Sequence, residues 1–159
     1  MIGDDLQALL NKAYFYLKFR PRTVAEMRRY LYKKVEKTHW SRVDADKVID
    51  HLITEGLLDD KQFIQLFVEQ RKNLKPKGAY VLKQELLRYG ASKDLIDEYF
   101  SNNPVDEENL AEKVLAGRWT RFKNLSPEQR FQKSSQFLLR RGFKFEIIKK
   151  LIANLIEKE

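Results

Sequence analysis

The chain contains a copy of part of itself. Glu85-Leu86-Leu87-Arg88-Tyr89-Gly90 aligns without a gap on Phe137-Leu138-Leu139-Arg140-Arg141-Gly142, 52 residues further on. The register carries through, setting Leu95-Ile96 against Ile147-Ile148 and Tyr99-Phe100 against Leu151-Ile152. A fainter copy lies upstream, where Val48-Ile49-Asp50 matches Leu95-Ile96-Asp97, 47 residues later. Leu31 to Leu86 spans 55, so the first copy holds about eight extra residues near 34–42. A period near 50 residues describes stacked supersecondary modules, each burying its apolar face against a neighbour.

Within each copy apolar residues recur every three or four positions, and period-2 alternation is hard to find, so the modules read as helical. Leu6, Leu10, Ala13 and Leu17 form one stripe that Pro21 ends. Thr23-Val24-Ala25-Glu26 is a capping box opening a second helix with Val24, Met27, Leu31 and Val35 on one face. A third runs from Val43 to Glu55 with Gly56 as its cap. Asp59-Asp60 opens a fourth, residues 78–89 make a fifth stopped by Gly90, and Ser92 caps a sixth. After the break at Asn102-Asn103-Pro104 come helices over 107–120, 127–141 and 145–158, the middle one capped by Ser126 with Pro127 at its first position. Nine helices in three sets predict an all-α fold. It would be built of three tandem three-helix repeats of helix-turn-helix-like form (1–56, 57–103 and 104–159), stacked into an elongated, curved body.

Composition narrows the chemistry. Cysteine is absent and there are two histidines, His39 and His51, so thiol nucleophiles, thiolate metal sites and His-rich metal centres are excluded. No Gly-rich phosphate loop, nucleophile elbow or HExxH pattern occurs. The paired acids Asp4-Asp5, Asp59-Asp60 and Glu107-Glu108 each stand where a repeat's first helix begins, which suits capping better than metal binding. No catalytic residue, metal ligand or cofactor is therefore expected. No run approaches 18 apolar residues, and the amino terminus lacks the pattern of a signal peptide or a myristoylation signal, so a cytoplasmic chain with no membrane partner is expected.

The net charge of +8 suggests a polyanionic partner. Lys18, Arg20 and Arg22 surround the first interhelical turn, with Arg28, Arg29, Lys33, Lys34 and Lys37 following. Arg71, Lys72, Lys75 and Lys77 occupy the equivalent turn of the second repeat. In the third, Arg118, Arg121 and Lys123 precede the turn, and Arg140, Arg141 and Lys144 flank the next. A charge run is ordinarily a solvated face; recurrence at equivalent junctions is what makes these candidate contacts. The repeats carry +3, +1 and +4 in order, so the outer two are the more basic. Tyr14, Phe15, Tyr16, Phe19, Trp119 and Phe122 lie beside the clusters, and helical spacing assigns most of them to packing, with Tyr16 and Trp119 undecided.

Gly56-Leu57-Leu58-Asp59-Asp60-Lys61-Gln62-Phe63, then Phe67-Val68-Glu69-Gln70-Arg71, Lys77-Gly78 and Gln84-Glu85-Leu86 make a pattern that resembles the RecX family of regulators of the RecA recombinase. Phe137-Leu138-Leu139-Arg140-Arg141-Gly142-Phe143 resembles that family's carboxy-terminal signature, and the likeness runs over nearly the whole chain. Ile64, where a small residue is usual, and Ala91, where Ile is usual, depart from the pattern as packing variations. The resemblance implies a non-enzymatic protein lodged in the groove of the RecA filament on single-stranded DNA, inhibiting ATP hydrolysis, strand exchange and filament growth. It implies as partners the RecA filament and single-stranded DNA, the latter by direct but weaker contact that could extend to double-stranded DNA. A monomer is expected. The contact residues proposed from charge and position are Arg20, Arg22, Arg28, Arg29, Arg71, Lys72, Lys77, Arg118, Arg121, Arg140 and Arg141. Two alternatives stand beside it: a helix-turn-helix-like protein binding DNA directly, and a helical adaptor for another protein.

Overall fold

The computed structural model describes residues 2–74 and 76–159, and among them every regular element is helical. In chain order they are α1 (Asp4–Leu17), α2 (Val24–Val35), α3 (Arg42–Thr54), α4 (Asp60–Leu74), α5 (Ala79–Arg88), α6 (Lys93–Asn102), α7 (Glu107–Trp119), a short 3₁₀ turn (Thr120–Phe122), α8 (Pro127–Arg140) and α9 (Phe145–Glu157). Each expected helix is present, with ends shifted by a residue or so. The first repeat's extra length is shared out along the chain. Relative to the second repeat, α2 runs two residues further past Leu31, its loop to α3 is two longer, and α3 begins four earlier before Val48.

Most of the expected caps form and Ser41 adds one, but the acid pairs Asp4-Asp5 and Glu107-Glu108 do not cap their own helices: α1 follows Gly3 without a side-chain cap, and Asp106 caps α7. Thr23 accepts from the Glu26 N–H while Glu26 reaches back to the Thr23 N–H, and Ser41 with Asp44 and Ser126 with Gln129 do the same for α3 and α8. These boxes satisfy amide donors that a helix start leaves without partners. Gly90 and Gly142 adopt φ of +88° just past α5 and α8, a conformation open to glycine and costly for other residues. The following amides, Ala91 N–H and Phe143 N–H, then donate back to Leu86 and Leu138 at 3.2 Å each.

The chain divides into two compact units, Met1–Leu66 with Leu86–Tyr99 and Phe67–Glu85 with Phe100–Glu159. The dividing points fall inside α4 and α5 and within α6. In the first unit, Leu6, Leu9, Leu10 and Ala13 of α1 pack with Met27, Leu31 and Val35 of α2 and Ala45, Val48, Ile49 and Leu52 of α3. In the second, Ala111, Leu115, Phe137, Leu138, Phe143, Ile148 and Ile152 form the corresponding core. Ile64 and Ala91 are both buried, as packing positions should be.

One junction recurs, once in each unit. In the first, the end of α5 meets the start of α2: Thr23 Oγ1 donates to the Tyr89 carbonyl at 2.5 Å, and a Cβ on Gly90 would lie 2.6 Å from the Ala25 Cβ. Asp60 Oδ1 accepts from the Val24 N–H at 2.9 Å. In the second, the end of α8 meets the start of α5: Gly78 N–H donates to the Arg141 carbonyl at 2.6 Å, and a Cβ on Gly142 would lie 2.4 Å from Val81 Cγ2. Glu107 Oε1 accepts from the Ala79 N–H at 2.9 Å. In both places the acid opening a repeat's first helix accepts from an amide at the start of the preceding repeat's second helix, and a Gly-stopped helix end packs against that start.

Candidate functional site

The basic turns separate by what faces them. Between α1 and α2, Glu26 sits at the third position of its helix, 7% exposed. Its Oε1 accepts from Arg20 Nη1 at 3.1 Å, and its Oε2 takes Arg20 Nη2, making a two-pronged pair. That hydrogen bonding raises the Arg20 pKa by more than burial lowers it. Arg22 Nη1 lies 3.8 Å from the same Oε2, and its Nε donates to the Tyr16 carbonyl at 3.3 Å. Its guanidinium stands 3.7 Å from the centre of the Tyr16 ring, and that ring stacks on Tyr30 at 4.0 Å and 2°. Lys34 Nζ follows at 5.4 Å from the Tyr30 centre, completing a column of cation, two rings and cation. Tyr16 thus belongs to the fold. Phe15 and Phe19 do not pack into the core as expected: they are 59% and 67% exposed, because α1 turns Leu6, Leu9, Leu10 and Ala13 inward. They touch each other edge to face at 5.2 Å. Further along α2, Arg28 is half exposed with Asp46 Oδ1 3.9 Å from its Nε, and Arg29 is exposed with no ion pair among the described residues.

At the α4–α5 turn a second carboxylate does what Glu26 does. Glu85, its side chain 13% exposed, takes Lys77 Nζ on Oε1. Arg71 Nε lies 3.2 Å from Oε2 without the alignment of a hydrogen bond, and its guanidinium rests 4.9 Å from the Phe67 ring centre. Lys72 is exposed. Lys75 lies outside the described residues.

In the third repeat, the described residues that line the basic cleft include no such carboxylate. Arg118 at the end of α7, Arg121 in the 3₁₀ turn and Arg141 after α8 line one cleft of about 350 Å³, joined by Lys113 from the middle of α7. Pro76, Val114, Gly117 and Phe137 complete its walls. The Arg118 and Arg141 guanidinium groups lie 4.4 Å and 4.9 Å from the centre of the buried Phe137 ring, and Arg141 Nη1 donates to the Pro76 carbonyl at 3.4 Å. Among the described residues, none of the four cations is ion-paired. Arg140 is exposed outside the cleft, its Nε donating one turn back to the Gln136 carbonyl at 3.3 Å. Trp119 is tied inward, its Nε1 donating to Glu159 at 3.1 Å beneath Arg130. No basic cluster marks Lys113 in the sequence, where it stands alone between Glu112 and Val114, five residues before Arg118. Spacing along α7 was the one available signal.

The family description "RecX, second three-helix domain" matches residues 59–99, and "RecX, third three-helix domain" matches residues 106–152. The chain belongs to the RecX family. A relative named "Regulatory protein RecX" from Streptococcus agalactiae is 30% identical over 151 residues, covering 94% of this chain and 56% of the relative. One of the same name from Bacillus cytotoxicus is 26% identical over 160 residues, covering 100% and 58%. This RecX-family chain therefore spans a little over half the length of the curated relatives it matches. Its fold is that of the crystal structure of RecX from Lactobacillus salivarius, with a TM-score of 0.80 at 24% identity over 97% of this chain and 98% of the other. A second regulatory protein RecX gives 0.68 at 22% identity, over 95% and 78%. Both RecX domain matches include residues at the recurring junction, Asp60, Tyr89 and Gly90 in one and Glu107, Arg141 and Gly142 in the other. No helix among the described residues is long and apolar enough to cross a membrane.

Proposed function

We propose that this RecX-family chain is a non-enzymatic regulator that binds the RecA filament on single-stranded DNA in its helical groove and lowers ATP hydrolysis, strand exchange and filament growth. Family membership over two three-helix domains carries the reading. The three repeats, 1–56, 57–103 and 104–159, act as modules whose separate modest contacts add through high effective concentration. The cations that meet the filament are those without a buried carboxylate partner among the described residues: Arg28 and Arg29 on α2, Lys72 at the end of α4, and Arg118, Arg121, Arg140 and Arg141 in the third repeat. Arg20, Arg22, Arg71 and Lys77 hold their turns through Glu26 and Glu85, and they serve contact by fixing the helices that bear the others. Exposed apolar side chains support a protein component to the contact: Leu57 and Leu66 are 47% and 45% exposed where they line a cleft of about 380 Å³ with Leu17, Lys18 and Phe63.

The deciding measurement is RecA ATP hydrolysis on single-stranded DNA with this protein titrated below one copy per RecA. A fall at substoichiometric ratios is expected, because a filament-bound regulator affects more subunits than it touches. An unchanged rate with RecA from the same source at modest salt overturns the reading.

A further inference from the structure

We infer that the cleft between α7, the 3₁₀ turn and α8 is a binding site for the phosphodiester backbone of single-stranded nucleic acid, with Lys113, Arg118, Arg121 and Arg141 as its phosphate-binding groups. The inference deepens the filament reading: it makes the strand inside the filament, and not the recombinase surface, the occupant of this cleft. Its basis is the contrast among the three basic turns. Glu26 meets Arg20 and Arg22, and Glu85 meets Arg71 and Lys77. The cleft gathers four cations without an ion pair among the described residues; two of them, Arg118 and Arg141, are placed against Phe137, and Arg141 is also fixed to the Pro76 carbonyl.

The attraction of α7 and α8 carboxyl ends for positive charge accounts for Arg118 and Arg141, each near a helix end. It does not account for Lys113, which stands six residues before the last residue of α7. A ligand with several regularly spaced negative charges completes the set, and a strand carries one per nucleotide. The volume is that of a small-molecule site and admits a nucleotide-sized group. Its walls mix the apolar Pro76, Val114 and Phe137 with planar guanidinium groups, which suits a sugar and base beside the phosphate. They are also largely helical, with main-chain amides bonded within α7 and α8, so an extended acidic peptide finds no backbone to pair with. Gly117 leaves the site open, since a Cβ there would meet nothing within 4 Å.

The test is the fluorescence anisotropy of a labelled oligo-dT strand titrated with the full chain over a range of salt. Lys113 and Arg121 are both exposed, so Lys113→Ala with Arg121→Ala leaves the core untouched. The pair should weaken binding at least tenfold and reduce the slope of log K against log salt by about 1.4, at roughly 0.7 per lost phosphate contact. Lys133→Ala with Lys149→Ala removes the same charge from exposed positions of α8 and α9 and should stay within threefold of wild type. Gly117→Glu sets a carboxylate in the cleft at a helical position with room for it. It should weaken binding at least tenfold with unchanged melting temperature, while Gly117→Ala stays within twofold. Cleft variants that bind like the control pair overturn the inference. So does poly-glutamate displacing the labelled strand more effectively, charge for charge, than unlabelled oligo-dT. If the wild-type chain lowers RecA ATP hydrolysis while the cleft variants keep full strand binding, the regulator reading stands and this one falls. If the cleft binds the strand but hydrolysis is unchanged, only the regulator reading falls.

Discussion

Asp59 and Asp60 are adjacent and serve different helices. Asp59 Oδ1 accepts from the Gln62 N–H at 3.2 Å at the start of its own helix, and Asp60 Oδ1 reaches Val24 N–H, 36 residues away. Burial raises the Asp60 pKa above its ordinary 3.8, with the nearby Asp59 and Glu26 charges adding, against the opposing hydrogen bond from Val24. For a carboxyl whose folded pKa is raised, the stabilising contribution is full below the ordinary value and is lost as pH rises through the folded value. At neutral pH the ionised Asp60 therefore carries a burial cost that its acceptor oxygen only partly offsets. Asp60→Asn keeps the acceptor and removes the charge, so it should match or exceed wild-type stability at pH 7. It should also abolish the relative gain that wild type shows as pH falls toward 4. Asp60→Ala leaves Val24 N–H without its cap and should cost about 1 kcal/mol. Urea unfolding at pH 7 and at pH 4 measures both. If Asn costs as much as Ala at pH 7, the carboxylate's charge is what α2 needs, and the burial argument fails.

At the scale of elements, the repeat is a rule about junctions as much as about helices. Gly56 and Gly142 both take positive φ, +77° and +88°, but space for a Cβ exists only at the first. Gly56→Ala should cost about 1–2 kcal/mol, the expense of left-handed backbone alone. Gly142→Ala should cost clearly more, because its Cβ would fall 2.4 Å from Val81 Cγ2 and 3.0 Å from the Val81 nitrogen. Thermal melts of the two variants check this, and equal losses would mean that the start of α5 yields freely. The helices and most caps were legible in the sequence because their signals are local: Thr23 lies three residues from Glu26, and Gly90 and Gly142 stand directly after their stripes. The cross-repeat bonds were not legible, since nothing near Asp60 names Val24 and nothing near Glu107 names Ala79. The site followed the same division. Position along the chain marked Arg118, Arg121 and Arg141, but Lys113 has no cluster of its own. Which basic turns carry a neutralising carboxylate was decided by Glu26 and Glu85, two acids that read only as a capping residue and as part of a family motif.

For the whole molecule, the net charge of +8 overstates how uniformly its cations are available. Arg22 illustrates the engaged class: its side chain is 12% exposed, stacked on Tyr16 and close to a buried carboxylate. Arg29, seven residues on, is exposed and has no ion pair among the described residues. Arg22→Gln breaks the cation–ring column and leaves Glu26 with Arg20 as its sole ion-pair partner among the described residues, so it should lower unfolding stability by about 2 kcal/mol. Arg29→Gln should change stability by less than about 0.5 kcal/mol, as surface substitutions away from such features do. Their effects on the filament should run in the opposite order when both are assayed at a temperature where each is folded. Arg22→Gln should retain the wild-type midpoint for lowering RecA ATP hydrolysis, and Arg29→Gln should shift it to higher protein concentration. The stability arm is read by urea unfolding and the contact arm by the hydrolysis titration. An Arg22→Gln protein with wild-type stability and a lost effect on RecA would place that partly buried cation at the contact. The division between cations that hold the turns and cations that meet the partner would then be wrong.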